Sequence, residues 1–387
     1  MANAQEPFSI LKIECPVCGG INPHADIRPM SYRETGSDTD FCPLGRVWAN
    51  AVYQAHDPLW YFMASCAKCF YTRELTPEFT GWAKDANFKT YRQPKIRDKH
   101  LAAAAAQNGI VQFLGSHIDA EKYPAESAII KFLLGIYDEL TTDRTSSLNM
   151  GRYFLRTAWL FRGQGAPVDT EGSTGAPLKR VRAMISDADH ALRAYDQKVT
   201  GIKTVFESDV APTLKDRDRS GEVAKEMSAS IAALQRSHAE LAAICDSVEQ
   251  AVPGEASSGS AFHAFASIDQ FLRKAKELWN DVPLTEHEAL VRACECYKKA
   301  YETGSEVKEG VGQVQVAYLI AELSRRTGDF ATAEQYFNTM LKVGGQLATS
   351  RTETPATVNR TRKLLELGRE QARANRDAQA AAGRDER

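Results

Sequence analysis

Two pairs of cysteines, each separated by two residues, constrain this chain more than any other feature of its sequence. The pairs are Cys15-Pro-Val-Cys18 and Cys66-Ala-Lys-Cys69. This spacing lets a tight turn direct two thiolates at one ion, and two such turns complete a tetrahedral zinc site. Pro16 and the glycines at 19–20 supply turn chemistry in the first pair, whereas Phe70 stands where glycine would ease the second turn. We therefore expect a structural Zn²⁺ site closed by four thiolates.

Other side chains near these cysteines leave alternatives open. The four thiols could be buried without a metal, or Cys42, His24 or His56 could replace or add a ligand. The segment Asp38-Thr39-Asp40-Phe41-Cys42 has two interpretations. Its carboxylates could polarise a metal ligand or a metal-bound water. Alternatively, it forms an acidic turn with a buried aromatic ring and a buried free cysteine, which is the interpretation that we prefer.

Length and composition describe an ordinary globular protein. The chain has 387 residues, which predicts two or three domains. Apolar residues make up 43% and charged residues 25%, which excludes a collagen-like, mucin-like or wholly disordered chain. The 48 basic and 50 acidic side chains give a formal charge of −2. This balance, which holds within residues 1–95 as well, argues against a nucleic-acid or membrane-surface partner.

The sequence also indicates a reducing compartment. The N-terminus lacks a basic region followed by a long apolar stretch, so it does not resemble a signal peptide. The best apolar run, residues 128–136, is interrupted by Lys131 and is far shorter than the ~20 residues that span a bilayer. We expect a cytoplasmic protein, in which paired cysteines bind metal rather than form disulfides.

The predicted fold is mainly α, with a small zinc-ribbon-like α+β head over residues 1–95. The gap between the cysteine pairs is long for a minimal zinc ribbon and predicts a small subdomain. Aromatic and β-branched residues predict strands over residues 47–53 and 59–64. From about residue 97 onward the pattern is helical. Apolar stripes at helical spacing predict an antiparallel helical hairpin over residues 126–140 and 147–162, within a segment 96–180.

Residues 181–252 follow a stricter pattern. Apolar residues alternate at spacings of four and three over residues 181–206 and again over 224–252, as in a coiled-coil seam. The polar stretch 211–221 between them contains Pro212, which predicts that the two arms fold back as an antiparallel hairpin. Each arm would be about 40–45 Å long. His238 and Cys245 are expected as core residues of this inserted hairpin, and pairing with a second copy, which would make a homo-oligomer, stays open.

Residues 261–345 predict tetratricopeptide-like helices. Helices are expected near 262–280 and 285–302. Small and large residues then alternate as in two packed helices of one repeat, with a turn at Gly328. The pattern residues are Ala317, Ile320, Ala321, Ala333, Phe337 and Met340. In the C-terminal segment 346–387, we expect a helix over about 355–372 that frays into a disordered, mildly basic tail.

Several motifs resemble a bacterial family of unknown function, the family numbered 2225. They are CPVCGG, DTDFC, CAKCFYT, AWLFR, LWNDVPLTEHEAL and VAYLIAELSRRTGDFATAEQYF. The resemblance covers roughly residues 8–100, 147–162 and 275–345, and the coiled-coil hairpin looks like an insertion. It implies a zinc-ribbon-like head on tetratricopeptide-like helices, with Cys15, Cys18, Cys66 and Cys69 as ligands. Ala67 and Phe70 depart from the proline and glycine expected in the second turn. The resemblance implies no particular activity.

Motifs for common chemistries are missing from the sequence. There is no GxxxxGK[ST], HExxH, GxSxG, or GxGxxG after a strand. We therefore expect a non-enzymatic, zinc-stabilised adaptor or scaffold that binds partner proteins through its helical repeats and coiled-coil hairpin. One alternative is a nucleic-acid-associated regulator that uses the zinc head. Another is a metalloenzyme with an open metal position near Asp38, Asp40, Cys42 or His56.

Overall fold

A computed structural model describes residues 6–165 and 262–385 of the chain. The described residues belong to one compact unit. The predicted coiled-coil hairpin over residues 181–252, with His238 and Cys245, lies outside the described residues.

The head is built from three short antiparallel β-hairpins. Their strands are β1 (Phe8–Glu14), β2 (Ile21–Ile27), β3 (Tyr32–Ser37), β4 (Pro43–Trp48), β5 (Met63–Ser65) and β6 (Thr72–Glu74). Strand β1 pairs with β2 from Phe8↔Ile27 to Glu14↔Ile21, and β5 pairs with β6 up to Ser65↔Thr72. The register leaves one cysteine pair in the turn of each of these two hairpins.

The strands predicted over residues 47–53 and 59–64 are wrong for most of their length. Strand β4 ends at Trp48, and residues 51–53 and 58–61 form 3₁₀ turns instead. The side chains of Asn50 and Asp57 accept hydrogen bonds from backbone N–H groups two residues later, which starts each turn. Pro58 adds a preset φ at the first position of the second turn. These local caps outweigh the β-propensity of the aromatic residues.

The remaining described residues are mainly helical, as the sequence predicts. The helices are α1 (Pro77–Thr80), α2 (Gln93–Ala105), α3 (Ile110–Gly115), α4 (Pro124–Leu140), α5 (Ser147–Gly165), α6 (Ile268–Leu278), α7 (Glu286–Thr303), α8 (Val311–Arg326), α9 (Phe330–Thr349) and α10 (Pro355–Asp385). Thr285 and Asp329 cap the N-termini of α7 and α9 with their side-chain oxygens. Gly328, with φ +85°, makes the turn between α8 and α9.

The predicted fraying of the C-terminal helix after residue 372 is not observed, because α10 continues to Asp385. Gln371 and Asn375 are buried against the body although no apolar side chain larger than alanine follows Leu367. The Asn375 side chain donates a hydrogen bond of 3.0 Å to the carbonyl of Phe330 at the start of α9. A polar contact and alanine-rich helix propensity therefore replace the missing apolar stripe.

The helices share one apolar core that reaches into the head. Helix α4 packs on α5, α5 on α7, α8 on α9, and α9 on α10. Leu59 and Met63 of the head belong to the same buried cluster as Phe132 of α4 and Phe337 of α9. A second, much smaller cluster surrounds the cysteines. No helix within residues 6–165 and 262–385 combines the length and apolar character needed to cross a bilayer.

The ring of Phe70 packs where Gly115 has no side chain, and a Cβ at position 115 would collide with that ring. We expect Gly115→Ala to lower the free energy of unfolding by about 1–3 kcal/mol through overpacking. Gly345→Ala in α9 is the control, because its Cβ would meet nothing described within 4 Å and alanine is the better helix former. Urea denaturation of both variants measures the difference, and equal loss of stability in both would contradict the close packing.

Candidate metal centre

The two cysteine pairs lie in turns with the same backbone geometry. In the first turn, residues 15–20, the Cys15 N–H donates to the Gly20 carbonyl at 2.8 Å and the Gly19 N–H donates to the Cys15 carbonyl at 2.9 Å. The second turn, residues 66–71, repeats both bonds at 2.9 Å, from Cys66 to Tyr71 and from Phe70 to Cys66. Matched turns present both pairs of sulfurs in the same way.

Phe70 adopts the left-handed conformation that glycine adopts in the first turn. Its φ is +65°, against +70° for Gly19. A side chain with a Cβ in this region costs roughly 1–2 kcal/mol. The ring of Phe70 packs against the apolar core and fills the space above Gly115, which offsets that strain. The departure from glycine in this turn is therefore compatible with its geometry.

The four sulfurs come together across the two turns. The Sγ atoms of Cys15 and Cys69 lie 3.6 Å apart, those of Cys18 and Cys66 lie 3.5 Å apart, and all four lie within 4.8 Å of one another. A tetrahedral ion with 2.3 Å bonds to sulfur separates its ligands by about 3.8 Å. The cysteines are free, and these separations are far longer than a disulfide bond. The quartet could therefore hold a metal ion.

The four cysteines are largely shielded from solvent. Cys15, Cys66 and Cys69 are 4%, 4% and 5% exposed, and Cys18 is half-buried. Val17, Tyr71 and Ile96 complete the small apolar cluster around them. An ion held by the four sulfurs would be largely excluded from water.

Asn22 joins the two turns through its side-chain amide. Its Nδ2 donates to the Gly20 carbonyl at 2.9 Å and to the Cys66 sulfur at 3.4 Å, and its Oδ1 accepts from the Ala67 N–H at 2.9 Å. Hydrogen bonds of this kind orient a ligand and stabilise its anionic form. Sequence reasoning missed Asn22, because a lone asparagine in a strand has no distinctive spacing.

The thiols of the quartet differ in pKa. Hydrogen bonds from the thiols of Cys15 and Cys69 lower the pKa of Cys66. The hydrogen bond with Cys66 raises the pKa of Cys15 to about 12, and contact with Cys15 and Cys66 raises that of Cys69. One thiolate is thus favoured first, and a bound cation must displace the protons of the others.

A buried ion pair supports the second turn from the helical side. His100 of α2 and Asp138 of α4 are both fully buried, with Nδ1 and Oδ1 2.6 Å apart. The His100 Nε2 donates to the Cys69 carbonyl at 2.8 Å, and the other oxygen of Asp138 accepts from the Thr72 N–H at 2.7 Å. Both partners of the imidazole are acceptors, so both of its nitrogens carry protons. Burial lowers the pKa of His100, but the hydrogen bond and charge of Asp138 raise it more.

The acidic segment 38–42 lies in an ion network with the helices. Asp40 is fully buried and accepts hydrogen bonds from Arg162 at 2.7 Å and from the indole N–H of Trp159 at 3.1 Å, both on α5. Asp38 pairs with Arg162 at 3.0 Å and with Arg326 of α8 at 2.7 Å. Burial tends to raise the pKa of Asp38, but the Thr39 N–H and Arg326 lower it overall.

The same network includes acidic groups on the helices. Arg162 also pairs with Glu286 at the start of α7, at 2.6 Å. Glu322 of α8 is fully buried and binds Arg325 and Arg326. The tyrosine hydroxyl of Tyr318 donates to the Thr39 carbonyl at 2.6 Å. Because Arg162 and Arg326 bind its carboxylates, the segment attaches the head to α5 and α8.

The other residues considered as ligands lie apart from the quartet. Cys42 is buried, and burial raises its pKa to about 11, so it stays a thiol at neutral pH. His56 contacts the Tyr61 hydroxyl at 2.5 Å within an aromatic cluster, and burial lowers its pKa. Burial and Lys131 lower the pKa of His24. A metal site needs several His, Cys, Asp or Glu side chains whose ligand atoms lie close together. Over residues 6–165 and 262–385, the four cysteines are the only group of three or more that meets this condition.

Residues 9–210 and 271–366 match the model of a family described as an uncharacterised protein conserved in bacteria (DUF2225). The matched ranges include more than half of the chain. The chain belongs to this bacterial family. No curated protein and no solved structure matches the chain. The match confirms the resemblance of the motifs and is wider than they indicate, since it includes the first arm of the predicted hairpin, residues 181–206.

Replacing Cys69 by serine tests the quartet in this family member. We expect the variant to lose bound metal and unfold the head while most helical signal remains, because the four cysteines of the quartet lie outside the helical core. Elemental analysis and far-UV circular dichroism measure the two effects. Cys42→Ser is the matched control, a buried cysteine outside the quartet, and should keep its metal. Metal retained by Cys69→Ser, or lost by Cys42→Ser, would contradict the assignment.

Replacing Asp40 by alanine separates attachment of the head from metal binding. It leaves the Trp159 N–H unpaired and weakens the hold on Arg162, so we expect a loss of about 3 kcal/mol in the free energy of unfolding. The metal content should stay unchanged. Asp98→Ala is the control, since that exposed side chain should change stability by less than about 0.5 kcal/mol. Metal loss in Asp40→Ala would show that this carboxylate belongs to the metal site.

Proposed function

We propose that the four thiolates hold a structural Zn²⁺ ion and that the protein is a non-enzymatic adaptor that binds partner proteins with its helices. The observation that carries the proposal is that the four sulfurs form a closed and largely buried set. Four protein ligands complete the coordination of a tetrahedral ion, so no position is left for water or substrate. Thiolates favour zinc among the common divalent ions that take this geometry.

The zinc would contribute mainly to folding. The apolar cluster around the cysteines is small, and the hairpins on either side of it are short. A structural zinc ion supplies on the order of 10 kcal/mol in small zinc peptides. His100 and Asp138 would connect the zinc-bound turn to the helices, because they bind the second turn and lie on α2 and α4.

The packing of the helical body supports the tetratricopeptide-like interpretation. Ala317 and Ala321 of α8 and Ala333 of α9 are fully buried, as close helix contact requires. Phe337 fills the same core, and Gly328 turns the chain between the two helices. Repeats of this kind stack into surfaces that bind peptides or helices. A protein partner is therefore the class of ligand that this body suits best.

The metalloenzyme alternative has little support from the site. It required an open metal position near Asp38, Asp40, Cys42 or His56. Arg162 and Arg326 engage both carboxylates, Cys42 stays protonated, and His56 contacts Tyr61. These contacts favour a structural role for the segment.

Photo-crosslinking of the full-length, metal-loaded chain tests the adaptor proposal. A photoreactive residue is placed at Glu334, Asn338 or Lys342, which are exposed and spaced along one face of α9. We expect a protein adduct of defined mass in bacterial cells, and weaker or different adducts from the control position Glu78 on α1. Absence of adducts at all three α9 positions, with normal expression and metal content, would contradict an adaptor that uses this face.

A further inference from the structure

A cavity of about 490 Å³ opens on the head, away from the cysteines. Its walls come from residues 26–30 at the end of β2, the β3–β4 hairpin, the 3₁₀ turn at residues 58–61 and helix α5. None of the four cysteines lines it. Cavities of roughly 300–1,000 Å³ are the size that small ligands occupy.

Arg156 of α5 lines this cavity, and no acidic side chain within residues 6–165 and 262–385 forms an ion pair with it, since the neighbouring Glu74 pairs with Arg152. The Arg156 guanidinium lies over the ring of Phe62, 4.3 Å from the centroid, and 5.9 Å from the ring of Trp159. Its one hydrogen bond goes to the Arg152 carbonyl at 3.3 Å, and no carboxylate within the described ranges lies within 4.0 Å. Burial and the charge of Arg152 lower its pKa. The Phe62 ring offsets part of the cost of burying this cation, and an anion would offset more because it accepts hydrogen bonds from the guanidinium N–H groups.

Two further arginines line the same cavity. Arg28 donates to the Glu6 carbonyl at 2.9 Å, so its charge is not neutralised by that bond. Arg46 pairs with Asp57 at 2.7 Å, but its Nε is buried and has no hydrogen-bond partner among the described residues. Arginine presents several donors in a planar fork, which suits the oxygens of a phosphate.

The rest of the lining restricts the ligand further. Aromatic side chains of Tyr32, Tyr61, Phe62 and Trp159 stand beside the carboxylates of Asp26 and Glu34. Neither carboxylate makes an ion pair within the part of the chain that the structure describes. Carboxylates accept hydrogen bonds, so Asp26 and Glu34 suit a ligand that carries donors as well as negative charge. The ring of Phe62 is covered by the Arg156 guanidinium and stacks on Phe132 at 5.6 Å, so Tyr32, Tyr61 and Trp159 provide the aromatic surface against which a planar group packs.

We propose that this cavity binds a nucleoside phosphate. The phosphate pairs with Arg156 and the neighbouring arginines, the base packs against the aromatic side chains, and hydroxyl or amino groups donate to Asp26 or Glu34. Inorganic phosphate would make no contact with the aromatic side chains and donate no hydrogen bond from a base or sugar to Asp26 or Glu34. A nucleoside without phosphate would leave Arg156 unpaired. The site goes beyond the adaptor proposal and does not depend on the metal.

Isothermal titration of the full-length, metal-loaded protein tests this site at low salt. The probes are AMP, GMP, CMP and UMP, the nucleoside of the tightest binder, and inorganic phosphate. We expect at least one nucleotide to bind, with its nucleoside and inorganic phosphate each at least tenfold weaker. Equal binding of inorganic phosphate, or of the nucleoside, would overturn the proposed ligand class, and no binding by any nucleotide would overturn the site.

Variants locate the binding in the cavity. Arg156→Gln should weaken nucleotide binding at least tenfold, whereas Arg144→Gln, an exposed arginine outside the cavity, should leave it unchanged. Asp26→Asn should weaken nucleotide binding without weakening any binding of inorganic phosphate. Thermal melts check that each variant folds, and Arg28→Gln replaces Arg156→Gln if that variant does not. Unchanged affinity in a folded arginine variant would overturn the site.

Discussion

The head is organised around the contact between two β-hairpins, which meet at four sulfur atoms. Each hairpin is too short to bury an apolar core of its own. Matched turns bring the thiols of Cys15, Cys18, Cys66 and Cys69 within 4.8 Å of one another, and the Asn22 amide bridges the turns. Four thiols at such separations gain little as neutral groups, whereas one cation would bind them all as thiolates. With zinc bound as proposed, ion binding and folding of the head would be one event.

The head is fastened to the helices by charged groups on two sides. His100 and Asp138 hold the second turn, and Arg162 with Arg326 holds the 38–42 segment. Buried ion pairs repay their desolvation only when the geometry is good and hydrogen bonds satisfy the remaining atoms. In both groups of ion pairs a further donor satisfies the buried carboxylate: the Thr72 N–H donates to Asp138, and the Trp159 indole N–H donates to Asp40.

The sequence predicts the features that have a fixed local spacing. The Cys-x-x-Cys pairs, the helical hairpin of α4 and α5 and the mainly helical body all follow from short-range patterns. Residues 51–53 and 58–61 form turns instead of strands because single capping side chains outweigh β-propensity. Asn22, His100 and Asp138 carry no such pattern, since their roles come from contacts between residues 31 to 66 positions apart in the chain. The partners of Asp38 and Asp40 lie more than 100 residues away for the same reason.

X-ray absorption spectroscopy of the purified, full-length protein at the zinc edge tests the central claim most directly. Four thiolates around zinc predict a single shell of four sulfur atoms at about 2.3 Å. A shell that contains nitrogen or oxygen ligands at about 2.0–2.2 Å would contradict the closed quartet. The absence of bound zinc from protein that is fully folded would contradict the dependence of the head on the ion.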